Sequence, residues 1–268
     1  MDLGLRGKVA IVLAASKGLG RASAAALAAE GTNLVIGARN QATLNQAVEG
    51  LRQSSNNRVP VIGVPTDVTR EEDLERIVDA AVSEFGRIDI LVNNAGGPPR
   101  GKFPDFNDAQ WLAAYELTFL SVVRMVRFVL PHMRKTGSGR IITIVSTSVK
   151  QPIDNLVLSN SIRPGVIGLT KSLSIDLAPD NITVNNVCPG SLLTDRFFDT
   201  PVKRAIAESG LSEDELLKEF AQGSGIPMGR LGKPAELGAL VAFLASEQAS
   251  YITGTTIQVD GGLTRTLL

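Results

Sequence analysis

The feature that most restricts the fold is a series of short, largely apolar, β-branched runs with helix-like stretches between them. The runs are VAIVL (9–13), NLVIGA (33–38), VPVIGV (59–64), IDILVNNA (88–95), RIITIVS (140–146), ITVNNV (182–187) and TTIQVD (255–260). They do not alternate apolar with polar residues, so each predicted strand needs cover on both faces, as strands of a parallel sheet do. Between two of them, TREEDLERIVDAAVSEF carries Leu74, Ile77, Val78, Ala81, Val82 and Phe85 as one helical stripe. Thr69 and Glu72 are predicted to form a capping box at its start. Regular strand–helix alternation implies right-handed crossovers. The expected fold is α/β, a single doubly wound, Rossmann-type parallel sheet of about seven strands with helices on both faces. No linker, repeat or low-complexity tract interrupts the chain, so residues 1–268 read as one domain.

Charge narrows the partners. The 27 basic and 27 acidic side chains cancel, which gives no reason to expect nucleic acid or an anionic membrane. One cysteine, Cys188, excludes an internal disulfide and suits a reducing cytoplasm. The opening MDLGLRGKVAIVLAASKG lacks the layout of a secretory signal. The stretch WLAAYELTFLSVVRMVRFVL contains Glu116, Arg124 and Arg127, so it reads as a buried helix and not as a membrane span. No Cys/His cluster has metal-ligand spacing, and no metal is expected.

One stretch breaks the rhythm. Residues 191–228 are helix-forming and carry Phe197, Phe198 and Phe220 between turn signals at Pro201 and GSGIPMG. An insertion after a late strand sits at the carboxyl ends of the strands, where ligands bind. It reads either as a substrate lid or as a helical pair packed on the sheet edge.

The first strand leads into LAASKGLGRASAAALAAEG. Gly18 and Gly20 open a helix whose alanines allow close approach to the sheet, and N–H groups at its start would hold a pyrophosphate. The loop residues Ala14, Ser16, Lys17, Gly18, Leu19 and Gly20 are therefore candidate dinucleotide contacts. Nineteen residues beyond Gly20, the second strand ends in Arg39 and not in an acid. No carboxylate there would repel a 2′-phosphate, and Arg39 with Lys17 could bind one. NADP(H) is thus expected ahead of NAD(H); the bland reading is two solvated surface cations.

These motifs, with DV at 67–68, NNAG at 93–96, PG at 189–190 and the closing TGTTIQVDGG, resemble the short-chain dehydrogenase/reductase family over residues 5–262. The 3-oxoacyl-carrier-protein reductase branch is the most similar. The resemblance implies that Asp67 and Val68 contact adenine, that Asn93, Ala95 and Gly96 let the cofactor lie close, and that Pro189, Gly190 and Thr194 line the nicotinamide. Two loop positions depart from the family form T-G-x-x-x-G-x-G: Leu13 stands for threonine and Ala14 for the first glycine. If that position needs a positive φ, Ala14 is strained by about 1 kcal/mol or more.

The chemical positions depart further. The family's Asn–Ser–Tyr–Lys tetrad falls on Thr118, Ser146, Ser159 and Arg163, so only the serine matches. Ser159 and Arg163 still share a helical face. A serine hydroxyl is a far weaker acid than a tyrosine, and an arginine stays protonated and cannot shuttle protons as lysine can. Pro164 is expected to cap or kink the helix beside Arg163. Tyr115, three residues before Thr118, reads either as an aromatic facing the cleft or as core.

Two functions follow from the resemblance. One is an NADP(H)-dependent oxidoreductase of the carbonyl reductase or alcohol dehydrogenase type, with an atypical active site and a small carbonyl or hydroxyl substrate bearing an apolar part. The other is a catalytically inactive dinucleotide-binding protein that serves as a sensor or partner subunit. The family also implies a cytoplasmic homotetramer built on helices at 108–135 and 155–178 and on the last strand.

Overall fold

Among the described residues seven strands form, and all pair in parallel in one sheet of order β3-β2-β1-β4-β5-β6-β7. They are β1 (Val9–Val12), β2 (Asn33–Ala38), β3 (Val61–Pro65), β4 (Ile90–Asn93), β5 (Gly139–Ile144), β6 (Ile182–Pro189) and β7 (Thr256–Val259). The computed structural model describes residues 2–198 and 212–267. Residues 199–211 of the predicted lid, Pro201 among them, and the side chain of Phe198 lie outside the described residues.

Strand geometry explains the uniformly apolar runs. Successive side chains point to opposite faces, and here each face meets its own helical layer. Ala10, Val12, Leu34, Ile36, Ile142 and Ile144 pack in one buried cluster with Leu27, Leu44 and Leu237. These last come from α1 (Gly18–Ala29), α2 (Gln41–Ser54) and α9 (Pro234–Ala245). Ile11, Leu13, Val35, Leu91, Ile141 and Val184 face the other cluster with Leu74, Met125 and Val166, from α3 (Glu71–Phe85), α5 (Ser121–Thr136) and α6 (Val157–Asp176). No helix of the described residues is long and apolar enough to cross a membrane.

Two local expectations change. Helix α3 is capped at Arg70, not Thr69, and no side chain caps it. The Thr69 hydroxyl instead donates to Asp67 Oδ1 at 2.8 Å, while Asp73 accepts the Asp67 N–H at 2.8 Å. A local acid outcompetes the helix end for the hydroxyl. Pro164 does not end its helix: α6 runs unbroken from Val157 to Asp176 with the proline inside.

Before α5 the chain has α4 (Asp108–Tyr115) and then a π-helical segment, Glu116–Leu120. Single-turn π segments of this kind are frequent at functional sites. Arg124 of α5 donates to the Thr69 carbonyl at 3.0 Å and so holds the start of α3.

At the amino ends of the strands a buried carboxylate closes the sheet. Asp89 accepts from Val9 N at 2.9 Å, from Arg87 Nε at 2.9 Å and from Arg87 Nη2 at 2.5 Å. Removing it would orphan a buried strand N–H and two guanidinium bonds. Asp89→Ala should lower unfolding stability by about 2–3 kcal/mol, read from the urea midpoint at unchanged slope.

Candidate active site

The sheet order reverses between β1, which leads to β2 and β3, and β4, which leads to β5 and β6. At such a reversal the loops leave in opposite directions and open a crevice at the carboxyl ends. A cleft of about 1050 Å³ lies there. Its walls come from the loop after β1, the loop after β4, the turn after β5, α6, and the segment after β6.

The first loop is tightly built. Ala14 has φ +48° and Gly18 φ +56°, so the conditional strain at Ala14 is realised. The loop is held by Leu13 N to Val92 O at 3.1 Å and by Ala15 N to Gly37 O at 3.0 Å. At Gly20 a Cβ would stand 2.4 Å from the Ala14 carbonyl oxygen and 2.8 Å from Asn94 Nδ2, so no other residue fits without moving the backbone. Asn94 Nδ2 donates to that same carbonyl at 3.4 Å. Across the cleft, a Cβ on Gly190 would lie 2.7 Å from Asp260 Cβ, which keeps that wall thin.

The loop fits a pyrophosphate by its own chemistry. Helix α1 has no acidic residue in its first turn and no side-chain cap, so its free N–H groups and positive dipole end are available to an anion. Lys17, Gly18 and Leu19 line the cleft beside them.

Not every expected contact reaches the cleft. Ala14, Lys17, Gly18, Leu19, Ala95, Gly96, Pro189, Gly190 and Thr194 line it; Ser16 and Gly20 do not. Arg39 is exposed just past β2. Asp67 and Val68, which follow β3, also lie outside the lining. All three belong to the β2–β3 side of the sheet. Asn93 is buried at the end of β4 and bonds Thr143 on β5 at 3.4 Å. Its Oδ1 has no hydrogen-bond partner among the described residues. The neighbouring Asn94 is the one that faces the cleft.

The floor near β5 and α6 is a cluster of hydroxyls with one cation. Ser146, Thr147, Ser159 and Arg163 line it. Ser159 and Arg163 are almost fully buried. Ser146 Oγ accepts from Ser148 N at 3.1 Å. The Ser148 and Ser159 hydroxyls share a hydrogen bond of 2.9 Å. Ser148 was not singled out in the sequence, although it stands two residues after Ser146 in the same turn.

Thr118 is elsewhere. It is buried within the π segment, its hydroxyl donates to Ala114 O at 2.6 Å, and it does not line the cleft. A threonine in a helix readily bonds the carbonyl four residues back. Tyr115 is also outside; it is 41 % exposed and stacks on Phe119 at 5.2 Å.

The comparisons with known proteins agree with this architecture. The family model described as enoyl-(acyl carrier protein) reductase matches residues 13–264. The chain is 36% identical over 263 residues to the 3-oxoacyl-[acyl-carrier-protein] reductase FabG of Vibrio cholerae, covering 97% of this chain and 99% of that one. The chain belongs to the short-chain dehydrogenase/reductase family. Among solved structures of this family, it is similar to the L-sorbose reductase of Gluconobacter frateurii complexed with NADPH and L-sorbose. That similarity has a TM-score of 0.94 and 34% identity and covers 100% of both chains. It is also similar to an NADPH-bound short-chain oxidoreductase of Pseudomonas aeruginosa described as containing an atypical catalytic center. There the TM-score is 0.89 and the identity 30%, with 97% of each chain covered.

In this member of the family the single thiol is withdrawn from solvent. Cys188 is buried at the end of β6, and burial pushes its pKa up to about 12, against the lowering pull of Lys150 and Arg163. An acid whose pKa is raised on folding favours the folded state below the ordinary thiol pKa. That contribution is lost as pH climbs from the ordinary value toward 12. At pH 8 the native thiol should react with a disulfide reagent roughly 100-fold slower than the urea-unfolded chain. Replacing Ala14 with glycine should remove the left-handed strain and add about 0.5–1 kcal/mol of stability, again measured by urea unfolding.

Proposed function

We propose that this chain is an NADP(H)-dependent reductase of small carbonyl compounds whose proton route does not pass through a phenol. The observation that carries the reading is the continuity of one cleft from the uncapped start of α1 to a floor of Ser146, Ser159 and Arg163. Arg39 and Lys17 support the phosphorylated dinucleotide. Both are exposed, and Asn40, the next residue after Arg39, uses its side chain to cap α2 by accepting from Thr43 N at 3.0 Å. No acid stands beside Arg39 to repel a phosphate. Asp67 and Val68 are assigned to the adenine end, and Pro189, Gly190 and Thr194 to the nicotinamide end.

NADPH held in the cleft would supply a hydride to the carbonyl carbon. The chain's own groups act on the oxygen. Ser146 and Ser159 donate hydrogen bonds to it, and the Arg163 guanidinium stabilises the charge that builds there. Arg163 keeps its proton, so water in the open cleft protonates the oxygen. Without a positioned acid the rate should be about 10²–10⁴ below that of a tyrosine-bearing site. Thr118 is left as a structural residue of the π segment. The stretch 191–228 acts as a lid, for which the cleft-lining Phe220 and Ser224 of its described part speak. Exposed Leu112 and Ile175, on α4 and α6, support burial of those helices in a cytoplasmic homotetramer.

A second reading has its own observation. The Ser159 hydroxyl is already bonded to Ser148, which suits a protein that binds the dinucleotide without turning it over, as a sensor or partner subunit. The two separate in one experiment. NADPH oxidation is followed over a panel of ketones and aldehydes, and binding is read from Trp111 emission. The reductase reading expects slow turnover, with a rate nearly flat between about pH 6 and 9 because no side chain on the floor exchanges a proton there. Ser159→Tyr combined with Arg163→Lys should raise kcat by about 10²–10⁴ and introduce a pH dependence. Arg163→Met should lower kcat/KM by roughly 10²-fold. Binding without oxidation in both the native chain and the double variant overturns the reductase reading in favour of the second.

A further inference from the structure

The stretch following β7 has no role in the chemistry above, yet it reaches the cleft. Leu263 and Thr264 line it. Three sets of contacts fix their position. The Asp260 carboxylate accepts Gly262 N at 3.0 Å and Thr264 N at 2.8 Å. Met228 N donates to Gly261 O at 3.2 Å. Arg265 N donates to Gln151 Oε1 at 3.3 Å.

These contacts join two other walls. Helix α8 (Glu213–Gly223) packs Phe220 edge-on against Phe197, with ring centroids 4.9 Å apart. Leu263 belongs to the same small apolar cluster, around Ala221, Ile226 and Leu231. On the other side, Gln151 belongs to the turn before α6, which Asn160 clamps by bonding Ile153 N at 3.1 Å and Ile153 O at 2.9 Å. The stretch therefore spans from α8 to a rigid turn and is anchored at both. Phe197, one of the aromatics of the stretch 191–228, belongs to this cluster and does not line the cleft.

We infer that Leu263 and Thr264 form a fixed wall of the substrate end and set the length and polarity of the carbonyl compound admitted. The inference rests on the reductase reading for the identity of the ligand. Leu263 presents a branched apolar surface whose removal opens space. Thr264 presents a hydroxyl for which the structure shows no partner among the described residues, although its N–H is bound. A compact ketone carrying a hydroxyl near its carbonyl matches that pair; a long unbranched acyl chain does not.

The test uses the full chain with NADPH bound and a series of ketones from 2-butanone to 2-decanone, together with hydroxyacetone. Each ligand is ranked twice, by turnover and by saturation-transfer NMR. Leu263→Ala should shift the preference toward the longer ketones by about tenfold, and Leu263→Trp should shift it toward the shortest by a similar factor. Thr264→Val keeps the volume and should weaken hydroxyacetone by about fivefold relative to 2-butanone. NADPH affinity should stay within about twofold in all three, which shows that the variants are folded. An unchanged ranking in variants that still bind NADPH overturns the wall, as does a failure of the native complex to bind any ketone of the series. Ligands that bind in the expected order but are never reduced uphold the wall and sink only the reductase reading.

Discussion

The close passage of α1 beneath the Ala14 carbonyl governs the whole site. At Gly20 the helix runs so near that carbonyl, and so near Asn94, that a single added carbon would collide with both. The loop cannot relax outward, because Leu13 and Ala15 are hydrogen-bonded to β4 and β2. The loop accepts φ +48° at an alanine as the cost of turning within that space. The result is a helix start, free of acids and caps, delivered to the point where the sheet reverses.

On the opposite side of the reversal the chain makes a different compromise. Ser159 and Arg163, which the sequence resemblance aligns with the family's phenol and amine, are both buried at the floor. A buried guanidinium holds its charge at every working pH, so it supplies field and hydrogen bonds but no exchangeable proton. The Ser159 hydroxyl pairs there with that of Ser148. In the reductase reading proposed above, such a floor orients and polarises an oxygen and the proton comes from solvent. The π segment holds Thr118 to the backbone.

Much of the frame was legible beforehand. The seven strands, their parallel pairing and the glycine loop followed from apolar runs without alternation and from the spacing between them. Ala14's strain could be stated as a condition, since only its φ was unknown. What escaped was of one kind. The cap at Thr69 was lost because Asp67 binds its hydroxyl in the folded turn. Pro164 lies inside α6 and does not cap it. Asn94, and not the expected Asn93, lines the cleft because the last residue of a strand and the first of a loop face different surroundings, and the exact strand end is not written in the residues.

The chain's order of residues thus determined, by itself, which segments need cover on two faces and where a backbone can pass close, because both depend on side-chain size and polarity alone. Through the resemblance it also aligned Ser159 and Arg163 with the family's phenol and amine, since a residue's identity needs no coordinates. Only the tertiary structure decided which polar groups share one cleft. Leu263 and Thr264 sit more than 100 residues from Ser159 along the chain yet line the same cavity. Such proximity arises from the packing of α8, the turn before α6 and the end of β7 against one another, a non-local outcome that no window of sequence contains.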